Sequence, residues 1–158
     1  MTTDLLSAPV KKQSQITISG ERKHDSTNHP DAAATSHAPW VLCVEDDQDF
    51  SRGVKLRLQS RGYDVVRAFE SDAGYRFAFE FDPVAILLDL NLPNGNGEDL
   101  LAEFCFHPRT ADIPVIVVTG MNEPGLEDRL LLQGATAFFR KPISHEALAA
   151  EIHRLATE

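Results

Sequence analysis

Cysteine is scarce in this chain: Cys43 and Cys105 are the only two among 158 residues. They lie far apart and form no C-x-x-C pair, which argues against a disulfide scaffold and fits a reducing compartment. Aromatic side chains are missing altogether from residues 1–39. No apolar run approaches the roughly 18 residues that a bilayer span needs. The N-terminus also lacks the basic start and apolar stretch of a secretory leader. A cytoplasmic chain without membrane insertion is therefore expected. A basic surplus is absent too: 15 Lys+Arg stand against 24 Asp+Glu, a net charge of -9. Direct nucleic-acid binding is not expected, because phosphates call for a basic face.

What is present divides at Trp40. Residues 1–39 are rich in Ser, Thr and Ala, and their four acids (Asp4, Glu21, Asp25, Asp31) balance four bases (Lys11, Lys12, Arg22, Lys23). Such a segment buries too little apolar surface to offset its ordering entropy, so it reads as a disordered N-terminal extension. Gln15–Ser19, where Ile16 and Ile18 alternate with polar residues, is its one strand-like docking candidate. Residues 40–158 read as one folded domain.

That domain alternates short apolar runs with amphipathic stretches. Trp40–Val44, Val84–Leu88 and Val115–Val118 are nearly continuous apolar runs, the pattern of strands covered on both faces of a parallel sheet. Tyr63–Arg67 and Thr136–Arg140 carry charges and read as edge strands. Helical spacing fills the gaps: Phe50, Val54 and Leu58; Ala73, Phe77 and Phe81; Leu100, Leu101, Phe104 and Cys105; Leu126 and Leu130; Leu148, Ile152 and Leu155. Five βα units with right-handed crossovers predict an α/β fold. Its five-stranded parallel sheet has the flavodoxin-like order 2-1-3-4-5, with helices on both faces. In such sheets ligands bind beyond the carboxyl ends of the strands, at the switch between strands 1 and 3.

Four strand ends carry chemistry. Strand 1 ends in Glu45-Asp46-Asp47, strand 3 in Asp89, strand 4 in Thr119 and strand 5 in Lys141-Pro142. Each alone reads as an ordinary loop or cap: a solvated turn, an Asn/Gly/Pro loop through Gly97, a structural Thr, a surface Lys-Pro turn. Together they place carboxylates on two strands about 4.8 Å apart, with a hydroxyl and an ammonium beside them. Crowded carboxylates repel and take up a proton or a cation. An all-oxygen set without His or Cys favours a hard ion, and Mg²⁺ suits a site that also binds phosphate.

In these motifs the segment from Trp40 to Glu158 resembles the receiver domain of response regulators in two-component signalling, the CheY-like family. The resemblance implies that Asp89 is the phosphoacceptor. It also implies that Glu45, Asp46, Asp89 and the backbone carbonyl of Asn91 form the Mg²⁺ site. Thr119 and Lys141 match the groups that bind the phosphoryl oxygens, and Phe138 matches the aromatic switch. The Lys141–Pro142 peptide matches one that is often cis. Asn91 and Met121 hold the positions that tune the lifetime of the phosphorylated state. Neither can act as a base on water, so a slow loss of phosphate is expected.

The implied role is that of a phosphoacceptor that assists its own phosphorylation, not of an enzyme in the ordinary sense. A sensor histidine kinase or a histidine phosphotransfer protein would donate the phosphoryl group, and a downstream protein target would read the switched surface. After Pro142 the chain has length for one more helix, so a single-domain regulator is expected. A relay role, passing the group to a phosphotransfer protein, is the alternative. An aspartyl-nucleophile phosphatase would need an acid where Asn91 stands. His107, His145 and His153 lack ligand spacing and read as solvent-exposed. Cys43 and Cys105 read as core-facing residues.

Overall fold

Three apolar runs of four or five residues set the centre of the fold. In the computed structural model, which describes residues 38–158, they form β1 (Trp40–Val44), β3 (Ala85–Leu88) and β6 (Val115–Thr119). The charged strands β2 (Asp64–Ala68) and β7 (Ala137–Arg140) flank them, giving a five-stranded sheet in the order β2-β1-β3-β6-β7 with every neighbouring pair parallel. This is the flavodoxin-like order expected from the sequence, with the most apolar strands innermost. The leader and the Gln15–Ser19 segment lie outside the described residues, apart from Ala38 and Pro39 at the leader's end.

Period-two alternation splits the strands between two cores. Leu42, Val44, Ile86, Leu88, Val115 and Val117 point to one face, where α2 (Ser71–Phe81), α3 (Gly97–Phe106) and α4 (Leu126–Gln133) cover them. Val41, Cys43, Ala85, Leu87, Ile116 and Val118 point to the other, under α1 (Gln48–Gln59) and α5 (His145–Thr157). Each Leu or Ile buried in these layers contributes about 1.5–3 kcal/mol. Caps mark the helix starts: Asp47 accepts a hydrogen bond from the Phe50 N–H, Asn96 from Glu98 and Ser144 from Ala147. Gly62, at φ +87°, supplies the left-handed turn between α1 and β2.

Three details depart from the sequence reading. The loop after β3 contains a two-residue antiparallel pair, β4 (Asn91–Leu92) with β5 (Gly95–Asn96). On α2 the most buried positions are Gly74 and Ala78, while Ala73 and Phe77 of the apolar stripe pack partly buried against the same core, because Gly74 lets the helix sit directly on Val44. His107 and His145 are half-buried rather than exposed. Their rings make edge contacts with Phe79 and Phe50, respectively, and apolar neighbours on adjoining helices draw them in. His153 is exposed, as expected, and its Nδ1 lies 2.7 Å from the Tyr63 hydroxyl.

Gly97 fixes the entry to α3. A Cβ placed there would lie 2.4 Å from Leu90 Cα and 2.8 Å from the Asp89 carbonyl oxygen. Those neighbours are backbone and cannot step aside. Gly97→Ala is therefore expected to lose about 1–3 kcal/mol of stability, the usual cost of overpacking. Urea unfolding monitored by circular dichroism measures it, and an unchanged midpoint would refute the close packing.

Candidate functional site

The parallel sheet delivers its side chains to one edge because each strand ends there. β1 runs directly into Glu45, and the backbone N–H of Asp89, one residue beyond β3, bonds the Val44 carbonyl at 3.0 Å. Adjacent strands thus set two acids side by side at the switch point. Glu45 and Asp89 are buried, whereas Asp46 is exposed. Carboxylate oxygens of Glu45, Asp46 and Asp89 all lie within 4.8 Å of one another.

The opposite charge comes from the far side of the sheet. Lys141 follows β7, and its Nζ donates to Glu45 Oε2 at 2.7 Å and to Asp89 Oδ2 at 3.0 Å. The ammonium also lies 4.4 Å from the centroid of the Phe50 ring, a cation–π contact that helps aim the side chain. Its backbone N–H bonds the Thr119 carbonyl, and the Lys141–Pro142 peptide is cis. Thr119 ends β6 with no exposed surface, and its hydroxyl accepts from the Met121 N–H at 3.2 Å. Asn91 is exposed, and its N–H donates to Asp89 Oδ1 at 3.1 Å. Phe138 is half-buried against the α2–α3–α4 core, with the Arg140 guanidinium 5.5 Å from its ring.

Burial pushes the Glu45 carboxyl above the usual carboxylate range, although hydrogen bonds from Lys141 and the Asp47 N–H pull the other way. Burial also works against the charge on Lys141. Its bonds to Glu45 and Asp89 outweigh that penalty and hold the ammonium above its ordinary value. Cys43, beneath the site, is pushed up to about 12, first by burial and then by Glu45, so its thiol stays neutral and inert. When ionised, three carboxylates against one ammonium leave two negative charges in excess. An all-oxygen pocket with that excess fits a hard divalent cation.

The structure adds a residue that the sequence marks only as an edge-strand charge. Arg67 sits opposite Cys43 in the β1–β2 register, and its guanidinium reaches over the end of β1. Its Nε donates to the Glu45 carbonyl at 2.9 Å and its Nη2 to the Asp46 carbonyl at 2.6 Å. The same group lies 4.0 Å from the centroid of the Phe69 ring. Arg67 thereby pins the backbone that carries both acids. No spacing rule exposes such a contact, because it depends on the pairing register of two strands.

Comparison with known proteins bears on the family and the fold. Residues 41–153 match the model of the response regulator receiver domain. The DNA-binding dual master transcriptional regulator RpaA of Synechocystis is 32% identical over 119 residues, covering 74% of this chain and 48% of RpaA. The chain thus spans about half the length of RpaA and of the Caulobacter cell cycle regulator CtrA, and only 8% of the Dictyostelium hybrid signal transduction histidine kinase D. Among solved structures, the signal receiver domain of a histidine kinase from Syntrophus aciditrophicus superposes with a TM-score of 0.69. It is 29% identical, and the match covers 76% of this chain and 91% of that one. A Burkholderia pseudomallei response regulator, solved with a phosphorylated aspartic acid, calcium and citrate, is 26% identical with a TM-score of 0.66. That match covers 75% of this chain and 69% of the other. The chain belongs to the response regulator receiver domain family of two-component signalling.

Proposed function

We propose that Asp89 is the phosphoacceptor of this receiver domain and that its phosphorylation switches a protein-binding surface. One observation carries this reading. The Asp89 carboxylate is held between the Asn91 N–H and the Lys141 ammonium, within the acidic group that includes Glu45 and Asp46. The phosphorylated aspartic acid of the Burkholderia relative is the same chemistry in a protein of the same family. The phosphoacceptor unit is read as residues 40–158, and the donor as a sensor histidine kinase or a histidine phosphotransfer protein.

The step is an in-line displacement. An Asp89 carboxylate oxygen attacks phosphorus, the P–N bond to the donor imidazole breaks, and the imidazole departs with its nitrogen lone pair and takes up a proton. The product is an acyl phosphate on Asp89. Glu45, Asp46, Asp89 and the Asn91 carbonyl would hold Mg²⁺, which when bound supplies a fixed positive charge against the phosphoryl oxygens. Lys141, already on Asp89, moves its hydrogen bond to a phosphoryl oxygen, and the Thr119 hydroxyl donates to another. Turning Thr119 toward the phosphoryl group frees space into which Phe138 repacks, shifting the population between two packings of the surface around β7. Incubating the full chain with acetyl phosphate and Mg²⁺ should add one acid-labile phosphoryl group by intact mass. A chain that takes up none under these conditions would overturn the proposal.

Two further expectations concern the acid pair. Arg67→Ala releases the carbonyls of Glu45 and Asp46 and should weaken Mg²⁺ binding about tenfold, as loss of an orienting contact around a metal site does. Isothermal titration reads this, and unchanged affinity would show that the loop holds itself. The raised Glu45 carboxyl protonates at a higher pH than an ordinary glutamate, so protons compete with Mg²⁺ early. Mg²⁺ affinity should therefore fall several-fold as the pH drops from about 7 to about 5, the range just above an ordinary glutamate pKa. A flat profile across that range would contradict the burial-driven shift.

A further inference from the structure

β2 is an edge strand, and among the described residues no strand pairs with its outer side. The Asp64 N–H bonds the Pro39 carbonyl, and the Ala68 carbonyl accepts from the Glu45 N–H, so both residues turn their backbone groups toward β1. Backbone direction alternates along a strand, so the N–H and C=O groups of Val65 and Arg67 face outward. Beside this edge runs a groove of about 640 Å³ between the N-terminal half of α1 and the first two turns of α2.

The charge of the groove opposes that of the domain. Residues 38–158 hold 11 cationic side chains and 20 acids, consistent with the whole-chain charge of -9. Four of those cations, Arg52, Lys55, Arg67 and Arg76, line the groove, against only Asp49 and Glu70 among the acids. Glu70 is already engaged, accepting from Asn94 Nδ2 at 2.6 Å. Arg52, Lys55 and Arg76 enter no ion pair among the described residues, whereas Arg61, Arg109, Arg129, Lys141 and Arg154 all do. Phe69, 43% exposed, adds an apolar surface beside the edge.

We propose that this groove docks an extended acidic segment of a partner protein, added as a strand to the free edge of β2. Backbone pairing to Val65 and Arg67 would provide the common affinity, and acidic side chains on the two faces of the added strand would reach Arg52 and Lys55 on α1 and Arg76 on α2. A short acidic peptide suits the groove better than a nucleic acid. A long polyanion would run beyond it onto a surface dominated by carboxylates. The leader is a poorer occupant, since its acids and bases balance. Arg67 belongs both to the groove and to the acid-bearing loop, so it is not used as the test residue.

The test uses the full chain and a fluorescein-labelled ten-residue peptide repeating Glu-Glu-Val, which sets acids on both faces of a strand, read by anisotropy at low and physiological salt. The acidic peptide should bind, and a matched Lys/Val peptide should not. Reversing two exposed cations together, Arg52→Glu and Arg76→Glu, should weaken the acidic peptide about tenfold or more, with the thermal melt and Asp89 phosphorylation retained. On binding, the Val65 and Arg67 amides should gain protection from hydrogen exchange. The proposal is overturned by equal binding of the basic peptide, by an unaffected double variant or by protection elsewhere. It is overturned as well by tighter binding of a single-stranded oligonucleotide. Val65 and Arg67 already protected in the free chain, by residues 15–19 or by self-association at higher concentration, would also overturn it.

Discussion

Asp89→Asn should abolish acid-labile phosphorylation by acetyl phosphate, while the folded domain remains. The substitution keeps the volume and shape of the side chain at the end of β3. The amide is a far weaker nucleophile and cannot form a stable acyl phosphate. One oxygen persists to accept from the Asn91 N–H, the contact Asp89 makes at 3.1 Å. The variant also removes one of two carboxylates facing Lys141, which relieves repulsion with Glu45. Its unfolding midpoint in the absence of Mg²⁺ should therefore equal or exceed that of the parent. Intact mass before and after the donor, with urea unfolding alongside, reads both effects. Undiminished phosphate uptake would move the nucleophile elsewhere.

Lys141→Ala should cost stability through unpaired charge. Glu45 and Asp89 are both buried, and Lys141 is the one ammonium that contacts them among the described residues. Removing one partner of a buried ion pair leaves charge without compensation, at about 3–5 kcal/mol for fully enclosed pairs. Lys141 keeps 21% of its side chain exposed, so water screens part of the loss, and about 2 kcal/mol is expected near neutral pH. The sign of the pH dependence follows from Glu45. Its carboxyl already lies above the usual range through burial, and loss of the ammonium raises it further. Acidification protonates it and removes the uncompensated charge, so the deficit shrinks as pH falls. Urea unfolding at about pH 7 and about pH 5 in EDTA distinguishes this from a packing defect, whose cost is the same at both. Phosphoryl uptake should drop as well, since Lys141 bridges the nucleophile and the incoming oxygens.

The acids and the hydroxyl were legible in the sequence because each ends an apolar run too short and too β-branched to be a helix, and Lys141 because it follows a short charged edge strand. A parallel sheet collects such ends on one edge, so Glu45 and Asp89 meet Lys141 once the strand order is known, with Thr119 at the end of the adjoining β6. Arg67 was not legible, for its partners are backbone carbonyls set by the Cys43–Arg67 register. On α2 the apolar stripe marks the packing face, since Ala73 and Phe77 lie against the core, but not its most buried positions. Apolarity marked Phe77, but close approach to Val44 selects the small residues Gly74 and Ala78. His145 escaped because its ring meets Phe50 and Gly53 on α1, roughly 90 positions earlier in the chain. The pairing of Asn91–Leu92 with Gly95–Asn96 is too short for a period-two pattern to announce it.

Borohydride trapping tests the assignment of Asp89 most directly. Reduction of an aspartyl phosphate leaves homoserine at the modified position, which peptide mass spectrometry then locates. The chain treated with acetyl phosphate and Mg²⁺ should yield homoserine at position 89 alone. Homoserine at position 46 or 47, or a reduced glutamate at position 45, would contradict the account.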